Sequence, residues 1–147
     1  MIVKILFIGT FIIAFNLVIQ GLGNVFWFRR IASVVKTDND ISNKKIFKAL
    51  LFSILFFTII HVIHSLVWAF CYYAIPQTAG QFSDFSETVY FSMVTFTTLG
   101  YGDISLSSDW RLLSGLEAIN GIMLIGWSTA MMFSLIQNIY KKINFSQ

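Results

Sequence analysis

Charge is scarce in this chain. Only 12% of its 147 residues are Asp, Glu, Lys or Arg, while 56% are hydrophobic, and the mean hydropathy is +0.75. That composition excludes a domain with a solvated surface and points to a single membrane domain whose main solvent is the bilayer. Cysteine is nearly absent. Cys71 stands alone, so no intrachain disulfide can form. The thiol is left as either a small buried hydrophobe or half of a link between copies. Catalytic patterns are missing too: there is no nucleotide motif, no Ser-His-Asp arrangement and no HExxH, so no enzymatic activity and no cofactor is expected.

The few charges that exist are unevenly placed. Arg29, Arg30, Lys36, Lys44, Lys45 and Lys48 follow the first apolar run, and Lys141 and Lys142 close the last. Basic residues beside spans stay on the cytoplasmic side. This predicts a multi-pass cell-membrane protein with its N-terminus outside and its C-terminus in the cytoplasm. The clusters flank apolar spans and carry no recognition motif, so no nucleic-acid partner is expected.

Three segments are apolar and long enough to cross. Residues 5–28 would span ~36 Å as a helix. Inside them Asn16, Gln20 and Asn24 recur every four residues, with Gly21 and Gly23 beside them. An amide stripe is costly in lipid, so it is expected to face protein; an interfacial helix is the other arrangement the pattern allows. A cleaved leader is disfavoured, because the basic pair follows the apolar run and no A-x-A site is present. Residues 29–45 read as a polar cytoplasmic linker with turn chemistry at Asp38-Asn39-Asp40. It is either a solvated topology signal or a segment touching anionic head groups.

Residues 46–75 form a second span of ~45 Å. His61, His64, Ser65 and Trp68 share a face by their i, i+3, i+4, i+7 spacing. The histidines are open to three roles: neutral groups bonded to a neighbouring helix, pH sensors, or a sparse metal site. Trp68, Tyr72 and Tyr73 are expected in the outer aromatic belt. Pro76 ends the span, and residues 77–81 read as an external turret. Ser83 or Asp84 then caps a short helix over about 84–97, with Glu87 in its first turn. This helix is expected to stop in mid-membrane, its negative end favouring a cation. Residues 110–140 are the third span. Glu117 lies within it and is expensive there unless paired. It is predicted to bond the back of the short helix or one of the histidines. Trp127 is expected to anchor this span against a neighbour, and Met131 and Met132 to pack.

Tyr90 to Asp103 reads YFSMVTFTTLGYGD. A dehydrated cation needs closely spaced oxygens to replace its water. Successive backbone carbonyls supply them only if every second residue leaves the ordinary strand conformation, and Gly100 and Gly102 reach positive φ without a Cβ clash. Thr98 can add its hydroxyl, while Leu99 and Tyr101 must point away and pack behind. One loop cannot encircle an ion, and the chain holds no second copy, so four chains around an axis are expected.

The run Thr98-Leu99-Gly100-Tyr101-Gly102-Asp103 resembles the selectivity filter of tetrameric potassium channels, of the bacterial two-pore-domain-like kind with one pore loop per chain. Leu99 stands where the commonest form has valine. The resemblance covers about residues 46–140. It implies an all-α membrane protein with three transmembrane helices, a re-entrant pore helix and a filter, assembled as a homotetramer. An N-terminal helix (1–28), shielding the tetramer from lipid, and the linker (29–45) would precede a pore domain (46–142). That domain divides into outer helix 46–75, pore helix 84–97, filter 98–103 and inner helix 110–140.

K⁺ would be held at Thr98, Leu99, Gly100 and Tyr101, with Gly102 completing the filter and Asp103, Tyr90 and Phe91 supporting it. The last two replace the usual tryptophans. Gly121, then Gly126, is the implied gating hinge, with close packing as the alternative. Ile125, Thr129, Phe133 and Gln137 are the pore-lining candidates, Phe133 as a constriction. Asp84, Glu87, Asp103 and Asp109 would give the outer mouth a negative field, opposed by Arg111. The first span has no arginine at every third position, so no voltage sensor is expected. Few residues follow Lys142, so no regulatory domain is expected either. A weakly selective cation channel remains the alternative, because Leu99 is bulkier than valine. A non-conducting scaffold or sensor subunit is the alternative from another class.

Overall fold

A computed structural model describes residues 1–37, 43–107 and 109–144, with backbone alone for 32–37 and 142–144. The expected turn at Asp38-Asn39-Asp40 lies outside the described residues, as do the side chains of Lys36 and Lys142. The described residues are helical without a strand. In chain order they form α1 (Ile2–Thr37), α2 (Asn43–Ala74), α3 (Pro76–Ala79), α4 (Phe85–Phe96) and α5 (Arg111–Asn144). Three stretches are long and apolar enough to cross a membrane: Ile2–Ile31, Asn43–Ala74 and Arg111–Lys141.

The first helix does not stop at residue 28 but runs to Thr37, through half of the segment expected as a linker. Residues 29–37 contain neither glycine nor proline, so nothing local breaks the hydrogen-bond ladder. Ile31 also has an apolar destination: it is buried with Ala49, Leu135 and Ile139 where α1, α2 and α5 meet at their basic ends. Tertiary burial of that one isoleucine outweighs the polar composition around it.

Pro76 closes α2 as the sequence suggested, and serves as the first residue of the single turn α3. Its missing N–H is tolerated at that position. The turret is therefore partly helical rather than open loop. Asp84 is the N-cap of α4, accepting from the Glu87 N–H at 2.8 Å. Glu87 reaches back to the Ser83 N–H at 2.5 Å and the Ser83 hydroxyl at 2.7 Å. This reciprocal cap fixes where α4 starts.

α4 is wedged between α2 and α5, while α1 packs on α5 and α2. The upper core joins Trp68, Tyr72, Phe91, Phe96, Leu106, Trp110, Leu113 and Leu124. Two belt assignments are corrected here. Trp68 and Tyr72 are both 0% exposed and belong to the core. Their polar tips have buried partners, Asn120 and Glu117, so they do not need the wet interface that draws such rings to a belt. Tyr73 is exposed.

Candidate functional site

The segment after α4 is shaped by its backbone bonds. The Thr98 N–H donates to the Thr95 carbonyl at 2.9 Å, and those of Leu99 and Gly100 to Val94 at 2.9 and 3.3 Å. These bonds cap α4 and turn the chain back along the helix axis. From there φ alternates in sign: +60° at Thr98, +51° at Gly100 and +78° at Gly102, with Leu99 and Tyr101 between them on the ordinary side. Such alternation brings successive carbonyls to one side of the chain, which an extended strand cannot do. Positive φ is easy for the two glycines. For the β-branched Thr98 it is strained, of order ~1–3 kcal/mol. Nothing in the residue pattern signals that a threonine joins the alternation.

Leu99 is 56% exposed and Tyr101 67%. Neither packs behind the segment within its own chain, where the sequence reading expects both side chains to be packed. The expected aromatic pair divides. Tyr90 donates its hydroxyl to Asp103 Oδ2 at 2.8 Å, and Asp103 Oδ1 accepts from the Ile104 N–H at 3.1 Å. The Asp103 carboxylate thereby holds the Tyr90 phenol above its usual range. Phe91 turns the other way. Its ring lies 5.4 Å from both Tyr72 and Phe82 in the core, so its support of Tyr101 is not seen. One helical step of ~100° separates neighbours, and α4 has only one face toward the filter segment.

Behind α4 sits a buried carboxyl group. Glu117 is fully buried. Tyr72 donates its hydroxyl to Glu117 Oε2 at 2.6 Å, and Ser92 Oγ is 2.5 Å from Oε1. Ser92 Oγ is also 2.6 Å from the Ser65 carbonyl. One hydroxyl proton serves one of these acceptors, so the proton count closes when the carboxyl group carries a proton of its own. One side chain of α5 thus ties α2 and α4 together directly behind the filter segment.

A second polar cluster lies one layer deeper. Asn16, Gln20 and Asn24 are all buried, at 0%, 0% and 5% exposure. Asn16 Nδ2 donates to Asn120 Oδ1 at 2.9 Å, and Trp68 Nε1 donates to the same oxygen at 3.0 Å. Gln20 Nε2 donates to Asn24 Oδ1 and Ser128 Oγ, each at 3.0 Å. Its Oε1 faces His64 Nε2 at 3.1 Å, which makes His64 the donor and leaves its Nδ1 bare. His61 lies 6.1 Å from His64, ring to ring, and makes no comparable bond. No group of three or more metal-ligating side chains occurs among the described residues. Asn120, Ser128 and Ser92 were not singled out by sequence. Their signal was available: Glu117, Asn120, Leu124 and Ser128 fall on one face of α5 by helical spacing.

The opposite face of α5 is uncovered. Ile125, Thr129, Phe133 and Gln137 all lie on it, although the Thr129 hydroxyl is turned onto its own helix, donating to the Ile125 carbonyl at 2.9 Å. Trp127 is 40% exposed and is not anchored in its own chain. The two glycines differ. A Cβ on Gly121 would drive into the Phe96 carbonyl group, with the carbonyl carbon 2.8 Å away; a Cβ on Gly126 would meet nothing within 4 Å. Gly121 is therefore a contact point between α5 and the end of α4.

A family model described as ion channel matches residues 60–138, from mid-α2 to near the end of α5. α1 lies outside the match. No curated protein and no solved structure matches the chain.

Proposed function

Since the chain belongs to the ion channel family, we propose that it is one subunit of a potassium-selective channel, a homotetramer that passes K⁺ down its electrochemical gradient. The observation that carries this reading is the sign alternation of φ at Thr98, Gly100 and Gly102. It suits a column of backbone oxygens facing one way, which an ordinary extended strand does not provide. In this reading the carbonyls of Thr98, Leu99, Gly100 and Tyr101 replace the hydration shell of K⁺. Four chains meet at the exposed filter segments, which gives Leu99 and Tyr101 the cover they lack in one chain. α4 points its negative end at the ion path, and the uncovered face of α5 lines the cavity below. The helical spans sit in the cell membrane with the basic ends of α1 and α5 in the cytoplasm.

The test is flux from purified protein in liposomes. K⁺ uptake should be blocked by barium, and the reversal potential should follow the K⁺ gradient when Na⁺ replaces K⁺ on one side. A reversal potential that stays near zero under that exchange refutes K⁺ selectivity. It would favour a weakly selective cation channel, for which the exposed, bulky Leu99 is the specific observation. No flux at all would leave a non-conducting membrane subunit.

A further inference from the structure

The part of the chain with no assigned role is α1. It stands outside the residues matched by the family model, yet it places three amide side chains inside the matched region's polar core. We propose that α1 is a clamp on α5, with Gln20 as the positioning residue that holds α5 straight across Gly126. The proposal rests on the channel reading, in which α5 is the inner helix whose shape sets the width of the pathway.

Two side-chain bonds join α1 to the middle of α5, Asn16 to Asn120 and Gln20 to Ser128. The grips on α5 are eight residues apart, ~12 Å along the axis. Gly121 and Gly126 lie between them. The upper grip is doubly secured. Asn120 also accepts from Trp68, and beside it Gly121 abuts the Phe96 carbonyl, so α5 is fixed there. The lower grip is a single bond to a serine hydroxyl. Gly126, two residues from that serine, has open space on its Cβ side. A glycine in mid-helix is the weakest point of the ladder, and Gly/Ser pairs are recurrent sites of kinks. Close packing within the chain gives no reason for glycine at 126. Bending there swings Ser128 away from Gln20 while Asn120 stays in place. With no water to compensate, the bond must be intact for α5 to be held straight.

The cluster is also over-supplied with polar groups. Asn16 Oδ1, Asn120 Nδ2, Asn24 Nδ2 and His64 Nδ1 are buried without a partner. A core with only one arrangement would leave none of these idle. Asn24 Nδ2 and His64 Nδ1 belong to the two other partners of Gln20; they give a released Ser128 or a relaxed Gln20 new partners, which lowers the penalty of letting go. The clamp therefore has two hydrogen-bonded settings rather than one bonded and one broken.

Two variants test this in a Cys71→Ala background. Ser128→Ala removes the lower bond and leaves Gln20 bonded to Asn24 and His64. Steady K⁺ flux should rise by at least about fivefold, the factor for one hydrogen bond lost in one subunit, and by more if all four subunits bend together. The pair Gln20→Cys and Ser128→Cys, oxidised to a disulfide and verified on a gel, should suppress flux, and reduction should restore it. An oxidised pair that conducts like the reduced one overturns the clamp, as does unchanged flux in Ser128→Ala. Wild-type flux in the same vesicles reports separately on the channel reading. The clamp itself has a readout that needs no conduction. Spin labels at Phe11 and Tyr140, both exposed, are followed with labelled chain diluted into unlabelled chain. Ser128→Ala should shift or broaden the intrachain distance; an identical distribution refutes the proposal even if the protein carries no ions.

Discussion

Gly121→Ala is the most informative single change in this fold. The added methyl group would enter the Phe96 carbonyl, whose carbon is 2.8 Å from the ideal Cβ position. Carbon atoms in ordinary contact stand ~3.5 Å apart, so α5 and α4 must separate by about 0.7 Å on that contact alone. The obstacle is backbone, and no rotamer change relieves it. Overpacking of this kind costs ~1–3 kcal/mol. Replacing a mid-helix glycine by alanine returns about 1 kcal/mol of helix propensity. The carbonyl oxygen stands closer still, so the cost falls at the upper end of that range; the net loss is about 2 kcal/mol per chain, and in the proposed tetramer it recurs in every subunit. The displaced group is two residues before Thr98, so the strain is passed straight to the filter segment. Thermal loss of the assembled form, followed by size-exclusion chromatography in mild detergent, should occur at a lower temperature than in wild type, and the K⁺ over Na⁺ preference should fall. Gly126→Ala, placed in open space, should not lower the thermal stability of the fold. A Gly121→Ala protein with wild-type melting and wild-type ion preference would refute the reasoning.

Further outcomes follow from the same contacts. Glu117→Ala leaves the buried Tyr72 hydroxyl without its acceptor, which should destabilise by ~1–3 kcal/mol; Glu117→Gln, which keeps an acceptor, should lose less, and equal losses in a melting assay would contradict the assigned bonds. If Glu117 carries the proton that the hydrogen count calls for, infrared spectra should show the C=O stretch of a protonated carboxyl group that vanishes in Glu117→Gln; its absence from wild type would reject that state. Tyr90→Phe frees Asp103 and should weaken ion preference without unfolding the chain, as read from reversal potentials and melting. Because the phenol is held above its usual range, this bond should be intact at neutral pH and be lost only as pH rises through the raised value, so ion preference should be flat across neutral pH with respect to this pair. Thr98→Gly relieves the strain at φ +60° but removes a hydroxyl; the fold should hold while K⁺ preference drops, and unchanged preference would dismiss the Thr98 hydroxyl as a ligand.

Much of the fold was legible because bilayer chemistry leaves few choices. Apolar length located three crossing helices, and the four-residue spacing of Asn16, Gln20 and Asn24 required protein on that side of α1. What the spacing did not contain was the partner. Asn120 and Ser128 are matched to it only by how two helices lie together. Trp68 and Tyr72 misled for a related reason: an amphipathic ring reads the same at a wet interface and beside a buried acid or amide. The helical stretch 29–37 was hidden because its polar composition is a weak prior, overturned by one buried isoleucine. The positive φ at residues 100 and 102 was legible from their glycines. The part played by the Thr98 backbone was not, since β-branching argues against positive φ and only closure of the loop on Val94 and Thr95 enforces it.

The polar stripe of α1 also bears on how the molecule comes into being. Asn16 and Asn120 are 104 positions apart, and Gln20 and Ser128 are 108 apart. During synthesis α1 therefore emerges well before Asn120 and Ser128, its partners on α5. Until then it is a poor lodger in hydrocarbon, with three amides and nowhere to put them. The ribosome must therefore add 104 residues after Asn16 and 108 after Gln20 before those two side chains meet their partners on α5, and the insertion machinery has to shelter the helix in the interval.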